Sequence, residues 1–204
     1  MLELLDLPRF PGERLDAAAY VADFDARFWR IGGEGLWKLE CLQNYQENGF
    51  ASWEAFRVGD WDGALRLAEE LRPGFEEYYD KISAHGFRVH RVRVVQEPIT
   101  PYVQWEMQIL RFREQCGEAV AVLTAGQAAA LADPAPLPDL VTLGTEAAYE
   151  IHYTEDGTPD GATLYTDAEA VQGMRTFIQR LYGPGEQLAT YFPQHIAHLA
   201  APQV

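Results

Sequence analysis

The run "FRVHRVRVV", residues 87–95, constrains the fold more than any other stretch of this chain. Its β-branched residues alternate with longer side chains and Pro98 closes it, which reads as a strand. Thr100-Pro101 follows, with proline at the first helical position, where a helix tolerates it. Trp105, Ile109, Phe112 and Cys116 then repeat at helical spacing, and "EAVAVLT" (118–124) reads as a short buried strand.

The same alternation extends outward. Tyr20, Phe24, Phe28 and Ile31 predict an amphipathic helix over 16–30, ended by "IGGEG". "LWKLECLQNY" (36–45) alternates imperfectly and reads as a strand. Ser52 is expected to cap a short helix, and Asp60 to open a longer one with Trp61, Ala64, Leu65, Ala68 and Leu71 on one face. Pro73-Gly74 should kink or split it, while Phe75, Tyr78 and Ile82 continue its stripe towards Gly86. After "ADPAPLPD" (132–139), read as an extended link, come the strands "LVTLG" and "AAYEIHYT", the turn "EDGTPDG" and the strand "ATLYT". Thr166 with Glu169 reads as a capping box for a last clear helix burying Val171, Met174, Phe177, Ile178 and Leu181. The pattern predicts an α/β sandwich, a single domain over 1–192 with a C-terminal tail at 193–204. Its mixed sheet should contain 87–95 and 118–124 and be covered by helices 60–84 and 101–116.

Composition narrows the class. With 204 residues, 48% apolar and 12% aromatic, the chain can bury one substantial core and does not resemble a disordered polymer. No apolar run approaches the ~20 residues needed to cross a bilayer, and the N-terminus lacks the basic start and apolar centre of a secretory signal. Two cysteines, Cys41 and Cys116, do not make a disulfide framework, so a reduced, cytoplasmic protein is expected. The net charge of -15 is unevenly spread: residues 114–174 hold eleven carboxylates and no Lys or Arg. Such a surface repels nucleic-acid phosphate, and it either attracts a basic protein partner or serves solubility.

Against that acidity the arginines of the first strand stand out. Alternation places Arg91 and Arg93 on one face and Arg88 and His90 on the other. Two arginines two apart can hold a phosphate or carboxylate; alternatively each pairs with a carboxylate such as Glu106 or Glu40, which the acidity favours. The helix start at Thr100-Pro101 would add an anion-favouring N-terminus near the strand's end. Trp29, Trp37, Tyr45, Trp53 and Trp61 crowd residues 28–61, and beside Lys38, Glu40 and Gln43 they form either a pocket wall or plain core. The candidate ligand-binding set is Arg91, Arg93, His90, Lys38, Glu40, Trp105 and Glu106, for an anionic small molecule. No phosphate loop, Gly-x-Ser-x-Gly elbow, His-Glu-x-x-His or paired Cys-x-x-Cys occurs, so the sequence indicates no catalytic residue and no cofactor. His195 and His198, three apart in an expected tail helix, offer two metal ligands without a third. The alternatives are an enzyme acting on phosphate esters through Arg91, Arg93 and His90, and an inhibitory protein whose acidic half mimics nucleic acid.

"LWKLECLQNYQENGFASWEAFRVGDW", "RVRVVQEPITPYVQWEM" and "YEIHYTEDGTPDGATLYTD" together resemble a family of actinobacterial proteins known as a domain of unknown function, over roughly Asp16 to Phe192. The resemblance implies gene neighbours of the helix-turn-helix regulator type, hence such a regulator as a partner, and no established activity. The order of elements in the C-terminal half is also similar to catalytically dead phospholipase-D-like modules. Active members use His-x-Lys; His90-Arg91-Val92 and His152-Tyr153-Thr154 lack the lysine, so the likeness gives neither histidine a role.

Overall fold

Caps and glycines set the element boundaries. A computed structural model of the chain describes residues 2–3, 6–133 and 136–203, without the side chains of Leu2, Glu3 and Asp133. The N-terminal half runs β1 (Leu2–Glu3), a 3-10 turn (Leu7–Arg9), β2 (Glu13–Leu15), α1 (Ala17–Phe28), β3 (Leu36–Glu40), α2 (Ala51–Arg57), α3 (Trp61–Glu70), α4 (Arg72–Ala84) and β4 (Val89–Val95). There follow α5 (Pro101–Cys116), β5 (Ala119–Thr124), α6 (Ala125–Leu131), β6 (Ala132–Asp133), β7 (Asp139–Leu143), β8 (Ala147–Tyr153), β9 (Pro159–Tyr165), α7 (Ala168–Tyr182), β10 (Glu186–Gln187) and α8 (Leu188–His195). Asp16, Asp60 and Thr100 each accept a first-turn N–H, from Ala19 (2.8 Å), Gly63 (2.9 Å) and Val103 (3.1 Å), groups that would otherwise lack a partner. The helix expected over 60–84 is split between α3 and α4, with Pro73 in the first turn of the second.

Several local expectations are corrected. β3 stops at Glu40 because the next N–H, of Cys41, leaves the ladder to donate to Asp139 Oδ1 (2.7 Å). Ser52 is not a cap but lies inside α2, where its buried hydroxyl donates to Ala64 O (2.8 Å) and accepts from Trp105 Nε1 (3.0 Å). α7 is capped by Asp167 rather than Thr166; the carboxylate takes the N–H groups of Glu169 and Ala170 (2.9 and 3.2 Å). Pro134 and Ala135 of the expected link lie outside the described residues, while Ala132–Asp133 pairs with Leu2–Glu3 and Asp139 begins β7. α8 ends at His195, so His198 does not share its helix, and Ile196 beyond it is buried in the core.

The main sheet has the order β10-β5-β4-β3-β7-β8-β9-β2. β3, β4 and β5 are parallel, linked by crossovers through α2–α4 and through α5. β7 enters antiparallel on the other side of β3, and β8, β9 and β2 continue that way. The result is the single α/β domain with a mixed sheet that the periodicities predict. One face packs against α6 and α7, where Leu39, Val92, Val94, Leu123 and Leu140 meet Val171, Met174, Ile178 and Leu181. On the opposite face the core divides. Val95, Val120 and Val122 pack with Trp105, Ile109 and Tyr191, while Leu36, Val89, Val141 and Tyr149 pack with Phe28, Tyr79 and Ile82. Between the two clusters the same face carries charge, because the parallel register sets Lys38 beside Arg91 and Glu40 beside Arg93. A polar band therefore crosses an otherwise apolar surface.

Candidate functional site

Burying that band requires every charge to find a partner, since an unpaired buried ion costs several kcal/mol, on the order of the domain's whole stability. Arg91 is held at both ends: its Nε donates to Glu118 Oε1 (2.6 Å) and its Nη1 donates to Glu40. Glu40 also receives Lys38 Nζ at 2.6 Å, and Glu118 accepts from the Tyr79 hydroxyl. Glu118 reaches this position because Gly117, at φ +126°, turns the chain sharply out of α5 into β5; a side chain would strain that conformation. Arg93 is fully buried, donating through Nε to Glu106 Oε2 (2.7 Å) and through Nη1 to Val94 O (2.8 Å) and Glu40 O (3.3 Å). Its Nη2 has no partner among the described residues.

These contacts tune the carboxyl groups differently. Burial alone would raise Glu40 and Glu118, but Arg91 beside both, with Lys38 at Glu40 and Arg113 at Glu118, holds each below the usual carboxylate range. At Glu106 burial prevails over the pull of Arg93 and raises the group to about 7. Burial also raises Tyr20, Tyr45, Tyr79, Tyr102 and Tyr153, so all five remain O–H donors. Asp139, accepting from Tyr45 (2.5 Å) and Tyr153 (3.0 Å), is raised by its own burial.

Above the band lies a cleft of three lobes, of about 150, 210 and 200 Å³, that meet at Lys38. The first lobe runs towards α1 and α4, with Tyr20, Phe24, Phe28 and Tyr78 facing Lys38, Arg91 and Arg113. The second runs under α5, with Phe50, Tyr102 and Trp105 as walls and Glu47 and Glu106 added to the same three cations. The third opens towards β8, past Tyr45, Glu47 and Tyr153. Lys38 and Arg113 form the accessible rim, their side chains 31% and 32% exposed, while Arg91 at 8% forms the floor.

Of the residues proposed from the sequence, Lys38, Glu40, Arg91, Trp105 and Glu106 line this cleft. Arg93 lies beneath it and lines none of the three lobes, so the two arginines do not present an open fork; carboxylates take both, Glu40 and Glu106 as anticipated and Glu118 as an unforeseen partner. His90 is on the wrong face: it stacks on Trp37 with ring centroids 4.0 Å apart, on the side covered by α7. The Thr100 hydroxyl donates to Gln43 O (3.0 Å), and Gln43 itself bridges Cys41 O and Val94 O. Of the crowded aromatics only Tyr45 reaches the cleft; Trp53 and Trp61 pack in the core, Trp37 lies behind the sheet, and Trp29 sits under the Lys81 ammonium.

Arg113, Glu118, Glu47 and the tyrosines other than Tyr45 were not marked by the sequence as site residues. Part of the signal was present, since Tyr102, Trp105, Glu106, Ile109 and Arg113 share one face of α5, and charges on an apolar stripe mark a lined cavity. His90 and His152 project from strands separated by β3 and β7, and His152 Nε2 lies 2.8 Å from the Thr163 hydroxyl, so the two do not form a joint site. No helix among the described residues is long and apolar enough to cross a membrane. Searches of curated proteins and of solved structures found no match to this chain. A family model described as a domain of unknown function, DUF6879, matches residues 22–193, and the chain belongs to that family.

Proposed function

We propose that this protein is a non-enzymatic binding module of regulatory type, whose cleft receives a small anionic molecule with an apolar body. The observation that carries the reading is that Lys38, Arg91 and Arg113 line the first two lobes together, beside aromatic walls. Arg113 in particular stands 3.9 Å from Glu118, too far for a hydrogen bond, which leaves its guanidinium available to a ligand. A carboxylate or phosphate in the first lobe would meet three cations, of which Lys38 and Arg91 are shared with Glu40 and Arg91 with Glu118, so one positive charge is in excess. Binding rather than catalysis is favoured because, among the described residues, no histidine or cysteine lines the three lobes, and arginine, lysine or tyrosine engages each of their carboxylates. The phosphate-ester enzyme reading loses its histidine, since His90 faces away. A small molecule is also favoured over a basic protein docked on residues 114–174, because Glu118 and Asp139 of that stretch point inward and Arg14 pairs with Asp160 at 2.9 Å.

Thermal unfolding with inorganic phosphate, phenyl phosphate and 3-phenylpropanoate tests this. A ligand at 100 times its Kd adds about 2.7 kcal/mol to stability, a rise in Tm easily read. The variant Lys38→Met/Arg113→Met should fold, since both side chains are part-exposed, and should lose the rise. Absence of stabilisation by any of these anions in the wild-type protein would overturn the proposal.

A further inference from the structure

The charges of the cleft are not evenly shared between its lobes. The first is lined by Lys38, Arg91 and Arg113 and by Glu118, with Glu40 outside it paired to Lys38 and Arg91. The second sets the same three cations against Glu40, Glu47 and Glu106. Two of these carboxylates are only half used. Glu106 is buried, and its single hydrogen bond among the described residues is from Arg93 to Oε2, at 2.7 Å. Among the described residues the Glu47 side chain accepts only from the Tyr102 hydroxyl, to Oε1, at 2.9 Å. Glu106 Oε1 and Glu47 Oε2 thus make no hydrogen bond among the described residues, and both side chains line the second lobe, where a donor on a ligand can reach them. Around those oxygens stand the rings of Phe50, Tyr102 and Trp105, whose faces attract a cation.

We infer that the molecule received by this cleft is a zwitterion, an amino-acid-like compound whose anionic group meets Lys38, Arg91 and Arg113 while its ammonium lies between Glu47 and Glu106. This rests on the small-molecule reading above and specifies its ligand class. Lys38 lines all three lobes, and Arg91 and Arg113 line both of the first two, so the same cations border the cationic and the acidic sides. The aromatic walls on either side suit an apolar or aromatic side group on that molecule. A simple anion fills only the first lobe and leaves the acidic one unanswered.

Matched probe pairs test this on the full chain by calorimetric titration: L-phenylalanine against 3-phenylpropanoate, and O-phospho-L-tyrosine against 3-(4-phosphonooxyphenyl)propanoate. Within each pair the first member carries the added amine. The ammonium should tighten binding by ~10-fold or more, the worth of one charge-assisted hydrogen bond. Glu47→Gln keeps an acceptor for Tyr102 but removes the charge, and should bring the ratio within each pair towards one. Glu106→Gln should act in the same direction. Simple anions that bind as well as their amine-bearing partners, or a ratio that survives Glu47→Gln, would overturn the zwitterion while leaving the anion-binding reading in place. If no member of either pair binds, both readings fall.

Discussion

Replacing Arg91 by methionine tests the charged band directly. The Arg91 side chain is 8% exposed and bonds Glu40 and Glu118, themselves 8% and 0% exposed. Methionine fills similar space, so the change removes charge and hydrogen bonds more than packing. Glu40 keeps Lys38 at 2.6 Å, and Glu118 keeps the Tyr79 hydroxyl, with Arg113 at 3.9 Å. The penalty therefore falls mainly on Glu118, a fully buried carboxylate left without a close cation. Removing one partner of a buried pair costs roughly 3–5 kcal/mol. With a urea dependence of about 1–3 kcal/mol per M, the midpoint should fall by roughly 2 M. The pH dependence carries a sign. In the wild type the folded-state pKa of Glu118 is lowered, so its contribution is present at neutral pH and lost as pH falls through the carboxylate range. In the variant, burial without Arg91 should raise the same group, so protonation relieves the penalty. The gap between the two proteins should therefore shrink on acidification. Adding Glu118→Gln to Arg91→Met should recover part of the loss at neutral pH. A loss under ~1 kcal/mol that is constant with pH would refute the claim that this network is buried and ionic.

Ser52→Ala strands the Trp105 indole N–H and takes a second donor from the helical Ala64 O, and should cost about 1–3 kcal/mol in chemical denaturation without changing the fold's far-UV signature. Gly157→Ala forces a side chain onto a residue at φ +85°, with its Cβ 2.4 Å from Asn44 O; it should destabilise by at least ~1 kcal/mol and raise amide exchange in both the 154–158 turn and the segment at 44–46. Burial lowers His90, so the folded state resists its protonation, and the associated stability is complete above the unfolded value of 6.5 and lost as pH falls below it. His90→Gln should flatten the stability profile in that acidic window, as read by urea midpoints at successive pH values.

Much of the fold is written in local chemistry. The 2-residue alternation of Val89–Val95, the Thr100 cap with Pro101 behind it, and the 3.6-residue stripe on α7 are properties of short segments, and periodicity reports them faithfully. The strand also betrayed its charged face, since alternation alone puts Arg91 and Arg93 on one side and His90 on the other. What alternation could not give was which side faces the cleft, because that depends on which helices cover each surface. Lys38, Glu40, Trp105 and Glu106 were legible as charged or polar-tipped positions within apolar stripes, and they do converge. Glu118 and Asp139 were read as part of an acidic surface, and both are internal. Their sequence neighbours carry no mark of this. Glu118 turns inward because Gly117 bends the chain beneath Arg91, and Asp139 because β7 lies beside β3, where Cys41, Tyr45 and Tyr153 can reach it. The sequence by itself determined the elements and the alternation of their faces. Only the tertiary structure decided the partners of each charge, because a buried ion is satisfied by whatever group the strand order and register bring within about 3 Å.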